Sequence, residues 1–208
     1  MKFYLVISTI TFGHTLAYWI TIQPQIRWFL VHAFVNVVVA AFSIGNNANV
    51  VDGNTCVQGN ESQIPTLLAV AIHVYHCLFY KLSADDIFHH AIFVPFLGGI
   101  GLVWQWGTCL NQILFFACGL PGAMMYLLLA AQRLHLGWAR HIHEPTVSMI
   151  IYTIIRMPGI LFICVKMIRA TYETPPVAVV NMFTTLCSVN ALYYGVQYWK
   201  RFLRKSVW

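Results

Sequence analysis

Seven apolar runs, each near the length of about 20 residues that a helix needs to cross a hydrocarbon core, limit the folds open to this chain. They cover roughly 3–22, 26–44, 64–82, 87–106, 109–131, 147–169 and 177–199. Inside a bilayer every backbone N–H and C=O must be paired, and a helix pairs them within one run. Only 9% of the 208 residues are charged, against about a quarter in a soluble domain. The chain is therefore read as all-α: a polytopic transmembrane bundle of about seven helices, with residues 1–208 forming a single membrane domain. Pro24, Pro65, Pro145 and the pair Pro175–Pro176 fall at or near the breaks, where proline starts or ends helices. The first run has the place of a signal peptide. It continues through Trp19 and Ile22 with no small-residue cleavage site, so it is read as a helix.

Basic residues set the expected orientation. With seven spans, the loops 1–2, 3–4 and 5–6 and the C-terminus share one side. They carry Arg27, Lys81, Arg133, Arg140, Lys200, Arg201, Arg204 and Lys205, against Lys2 and Arg169 on the other. The positive-inside rule then puts the C-terminus in the cytosol and the N-terminus in the lumen or outside. The segment 45–63 faces the lumen and carries a glycosylation sequon at Asn60. The net charge of +6 is concentrated partly in the tail. It reads as a membrane-surface anchor, with no nucleic-acid partner expected. Cys77, Cys118, Cys164 and Cys187 lie in spans and read as small core residues. Cys56 and Cys109 both fall on the lumenal side. There an oxidising compartment would allow a disulfide, and two free thiols are the alternative.

Polar side chains inside spans are costly and tend to face the bundle interior. His32 and Asn36 share one helix face, and His73, His76 and Tyr80 share another. Asp86, His89 and His90 form a third face at the cytosolic end of the fourth span, where Asp85 and Asp86 are placed in the turn before it. Asn111 and Glu144 complete the polar set, with Arg156 mid-span two residues before Pro158. Most single His or Asn residues in a bundle act as interhelical hydrogen-bond partners. A mid-span guanidinium instead needs a partner, a wet cavity or an anionic lipid head. Arg156 is expected to line a polar cavity, with a structural ion pair to Glu144 or Asp86 as the alternative. The glycines of "FLGGIGLVW" are expected to let helices approach closely.

Histidine spacing offers a metal-binding reading. His73–His76 is HxxH, and residues 86–90 read DxxHH. His135, His141 and His143 sit on a loop. Histidine boxes of membrane di-iron oxygenases use such patterns, but the spacings here differ. His73, His76, His89 and His90 are the metal candidates, and no metal cofactor is expected.

Four stretches together carry a family resemblance. They are "RWFLVHAFVNVVVAAFS", the helix–acidic turn–helix "HVYHCLFYKLSADDIFHH", "HEPTVSMIIYTIIRMPGIL" and "NALYYGVQYWKRFLRK". In their order and spacing the chain resembles the TLC-domain family of integral membrane proteins, most strongly over 27–204. That resemblance implies a helical bundle around a cavity open to lipid, with phospholipid or sphingolipid bound, and residence in the endoplasmic reticulum. A mitochondrial or plastid inner membrane is also compatible with the composition. The family's ceramide synthases pair two histidines with two later aspartates. The histidines correspond to His89 and His90, but no aspartate follows Asp86. The expectation is a lipid-handling protein in contact with membrane lipids, without ceramide synthase activity. Three alternatives stand beside it: a subunit of a large membrane complex, an N-acyltransferase with His89, His90 and Asp86 as catalytic candidates, and a di-metal lipid oxygenase.

Overall fold

A computed structural model describes residues 2–48, 56, 62–104, 106–170 and 175–206. Asn60 lies outside the described residues. Every regular element described is helical. Six helices are long and apolar enough to cross a membrane. In chain order the elements are α1 (Lys2–Ile20), α2 (Pro24–Ala48), α3 (Ile64–Phe79), α4 (Ala84–Val103), α5 (Thr108–Arg133), α6 (Glu144–Arg169) and α7 (Val177–Ser206). The short helix Gly137–Arg140 lies between α5 and α6. Helix α3 has 16 residues, about 24 Å at 1.5 Å per residue, and is shorter than the 64–82 span expected. Tyr80 turns extended and donates its N–H to the His76 carbonyl, which ends it.

The start of α4 corrects the sequence reading. Asp86 does not sit in a free turn. It is the third helical residue, and its carboxylate accepts from the Ser83 N–H (2.9 Å) and hydroxyl (2.7 Å). The Asp86 N–H returns a bond to Ser83 Oγ. This reciprocal cap satisfies end groups that would otherwise lack partners. It also places two acids at the positive end of the helix dipole.

Helices α2 and α5 pack closest, and two small residues allow it. A Cβ on Gly119 would lie 3.2 Å from backbone atoms of Ala40, and one on Gly122 would lie 2.3 Å from Asn36 Nδ2. Within "FLGGIGLVW" the expected close approach holds at Gly98, which faces Val70, while Gly99 faces open space. Helix α1 lies on the outside with Phe3, Tyr4 and Trp19 exposed. His14 is bonded to Tyr75 of α3.

The lumenal end expected from the charge count is an apolar plug. Trp106 stacks on Phe183 at 4.4 Å between centroids. Around them are Ile163, Met167 and a disulfide between Cys56 and Cys109. The pairing left open by the sequence is therefore a bond. It ties the segment before α3 to the start of α5.

Three wide, π-helical turns interrupt the long helices: Val94–Gly99 in α4, Phe115–Gly119 in α5 and Ile151–Arg156 in α6. Such turns are uncommon and are frequent at functional sites. All three contribute side chains to one cavity.

Candidate functional site

That cavity has a volume of about 750 Å³. It opens where α4 begins and α7 ends, among Asp85, Asp86, Lys200, Arg201, Arg204 and Lys205. At its far end Leu97 and Leu114 both line it and pack on the apolar plug. Between mouth and floor its wall carries five histidines, Arg156 and Asn190.

The histidines form one continuous cluster. Ring centroids lie 5.1 Å apart for His73–His89, 5.2 Å for His73–His90 and 5.1 Å for His76–His90. His32 lies 5.9 Å from His73 and stacks on Tyr126 at 3.9 Å. His76 stacks on Trp28 at 3.7 Å. Aromatic stacking fixes these two rings and leaves the other three to hydrogen bonding.

The partners of those three rings set their tautomers. His73 donates its Nδ1–H to the Ala69 carbonyl at 2.5 Å, so its Nε2 is an acceptor when neutral. His89 Nε2 lies 3.1 Å from that atom and must be the donor. Its Nδ1 then accepts from the Tyr194 hydroxyl at 3.0 Å. The result is a directed chain, Tyr194 to His89 to His73 to Ala69. His90 donates Nδ1–H to the Asp86 carbonyl, and its Nε2 is buried without a partner. Among the described residues no group of three or more His, Cys, Asp or Glu side chains is arranged to hold a metal ion. His143, the residue before α6, bonds to Thr146 in the first turn of that helix.

Arg156 is 5% exposed. Its Nε donates to the Ala117 carbonyl at 2.9 Å and its Nη2 to Asn190 Oδ1 at 2.5 Å. Tyr152 and Tyr194 lie against it, each ring centroid 5.3 Å from the guanidinium carbon. The Ala117 bond has a local cause. Pro121 has no N–H to give the carbonyl four residues before it, and Arg156 takes that carbonyl instead. The expected alternative partners are both engaged elsewhere. Asp86 holds Ser83, and Glu144 accepts from Ser148 (2.6 Å) and Arg201 (2.7 Å).

Three expected cavity residues stand outside it. Asn111 donates to the Ser62 carbonyl at 3.0 Å, near the disulfide end. Tyr80 caps α3 against Trp28 and Tyr75. Glu144 reaches the mouth only through Arg201, which it anchors. His32, Asn36, His73, His76, Asp86, His89, His90 and Arg156 do line the cavity. The tail expected to anchor at the membrane surface also forms the cavity mouth. Sequence reasoning did not single out Trp28, Tyr126, Tyr152 or Tyr194. Tyr194 lies four residues after Asn190, so the two share a helix face. That spacing was the available signal.

Four buried polar atoms on this wall have no partner among the described residues: His32 Nδ1, Asn36 Nδ2, His90 Nε2 and Arg156 Nη1. Each such group costs about 1–3 kcal/mol when left unpaired. All four belong to residues that line one cavity, where a polar occupant could pair them after a small shift of the covering side chains.

No protein-family model matches the chain, no curated protein matches it, and no solved structure matches it.

Proposed function

We propose that this multi-pass membrane protein is a TLC-like lipid handler that takes an amphiphilic lipid, a phospholipid or sphingolipid, into the cavity described above. The single observation that carries the reading is the set of four unpartnered buried polar atoms on the wall of one cavity. An apolar chain would lie against Leu97, Leu114 and Phe93, with the polar end among the histidines. In this reading α3 serves as a seventh span, the N-terminus is lumenal or outside, and the cavity mouth faces the cytosol. The basic mouth supports that orientation through the positive-inside rule. The Cys56–Cys109 bond at the opposite end supports it too, because disulfides persist in oxidising compartments. The endoplasmic reticulum fits both, and membrane lipids are the expected partners. Purification in mild detergent followed by lipid mass spectrometry tests the reading. Stoichiometric lipid in the wild type and less in a His90→Leu/Asn36→Leu double variant is expected. Recovery without any bound lipid would overturn it.

A second reading has its own support. His90 Nε2 is an unpartnered acceptor beside the directed Tyr194–His89–His73 chain. A neutral imidazole so oriented can act as a general base, which is the acyltransferase alternative. Acyl-CoA turnover that survives both His89→Ala and His90→Ala would refute it.

A further inference from the structure

The geometry points to Arg156 as a binding site for a lipid monoanion, a carboxylate or phosphodiester attached to an acyl chain, with the fatty-acid carboxylate as the leading ligand. The inference rests on the lipid-handling reading and specifies the head group that the cavity selects.

Three observations carry it. First, Arg156 is a buried cation that forms no ion pair among the described residues. Its two hydrogen bonds go to the neutral acceptors Ala117 O and Asn190 Oδ1, which supply no counter-charge. A buried charge without an opposite charge is strongly disfavoured. The three described carboxylates offer no remedy, because Asp86 caps α4, Glu144 holds Arg201 and Asp85 is exposed at the mouth. Second, the site is fixed in place. The Tyr152 and Tyr194 rings lie against the guanidinium, and two donors are committed, which leaves Nη1 buried without a hydrogen-bond partner. A carboxylate or phosphodiester oxygen would give Nη1 a charge-assisted acceptor, reached by a small shift of the side chains that cover it. Third, the surroundings suit one negative charge and a chain. Arg156 is the sole Lys or Arg on the cavity wall below the mouth, and the floor beneath it is Leu97, Leu114 and Ala117. A dianion would need a second cation there. The basic side chains at the mouth favour entry of a negative head from the cytosolic surface.

The test uses the whole chain in micelles of dodecyl maltoside, which carries no phosphate, and measures equilibrium binding of radiolabelled palmitate and of its methyl ester. Wild type is expected to bind the acid at least tenfold more tightly than the ester. Arg156→Met should abolish that preference while ester binding persists, and Arg156→Lys should restore part of it. Asn190→Asp is the second variant. It supplies the missing counter-charge internally, so it should raise thermal stability and reduce palmitate affinity at least tenfold. That combination keeps the test informative if Arg156→Met does not fold. Displacement of labelled palmitate by lysophosphatidylglycerol, a phosphodiester of net charge −1, more tightly than by unlabelled palmitate supports the monoanion site and assigns it to the phosphodiester source. Equal binding of acid and ester by wild type, or an unchanged preference in Arg156→Met or Asn190→Asp, overturns the inference. Failure of wild type to bind the acid, the ester or the lysolipid overturns the lipid-handling reading itself.

Discussion

Removing the Cys56–Cys109 bond should loosen the apolar plug measurably. The two half-cystines are 53 residues apart in sequence, and closing a loop of that length removes denatured-state entropy equivalent to about 4 kcal/mol. That figure is a ceiling for a membrane bundle, because helices persist in the denatured state and shorten the freely moving part of the loop. A loss of about 2–4 kcal/mol is therefore expected for Cys56→Ser/Cys109→Ser. Neither site gives the new hydroxyl a wet environment, since both residues are buried in the Trp106–Phe183 cluster, so the loss should fall toward the upper end. Titration with SDS from mixed micelles, followed by tryptophan fluorescence, reads the change as an earlier unfolding midpoint. Reduction of the wild type should reproduce the shift, and reduction of the double variant should change nothing further. Identical midpoints for oxidised wild type, reduced wild type and the double variant would refute the claim that this bond staples the plug.

Other outcomes follow from particular contacts. Gly122→Ala should destabilise by about 1–3 kcal/mol, because the new Cβ would meet Asn36 Nδ2 at 2.3 Å, whereas Gly99→Ala faces open space and should stay near wild type in the same titration. Ser83→Ala removes one half of the α4 cap and should cost about 1 kcal/mol, with Ser83→Thr close to neutral. Tyr194→Phe deletes the donor to His89 Nδ1; nitrogen-15 shifts of the His89 ring should move, and an unchanged tautomer would break the proposed chain. Lys205→Cys in a Cys77→Ala background should react with an impermeant maleimide once the plasma membrane alone is permeabilised, and reaction only after the organelle membrane is opened too would reverse the orientation.

Much of the architecture is legible in the chain because bilayer thickness sets run length and proline marks the breaks. Helix boundaries agree to within four residues for α1 to α6, while α7 runs on to Ser206, past its expected end at 199. The helical faces of His32 with Asn36 and of His73 with His76 also reach the cavity, since spacing of three or four residues is a local property. What escaped the sequence is long-range or conditional. Asp86 was expected in a free turn, yet the Ser83 hydroxyl three residues earlier draws it into the helix. Arg156 was expected to seek a carboxylate if it paired at all. Its partner is a carbonyl 39 positions away that Pro121 leaves without its usual donor. Asn111 has the character of a cavity residue but sits near the disulfide end of α5, where it holds Ser62.

The wide turns have one further consequence. Across each of them, residues on a common stripe are five apart rather than three or four, as Ile151 and Arg156 are at the ends of theirs. The wall is thus assembled from segments whose side-chain phases differ by one position on either side of the turn. Deleting one residue that does not line the cavity, Phe96, Phe115 or Ile154, would restore a regular helix while keeping every wall side chain in the sequence. It would also rotate half of that helix's wall away from the interior. The interior space therefore depends on three surplus residues in the main chain as much as on the side chains that face it.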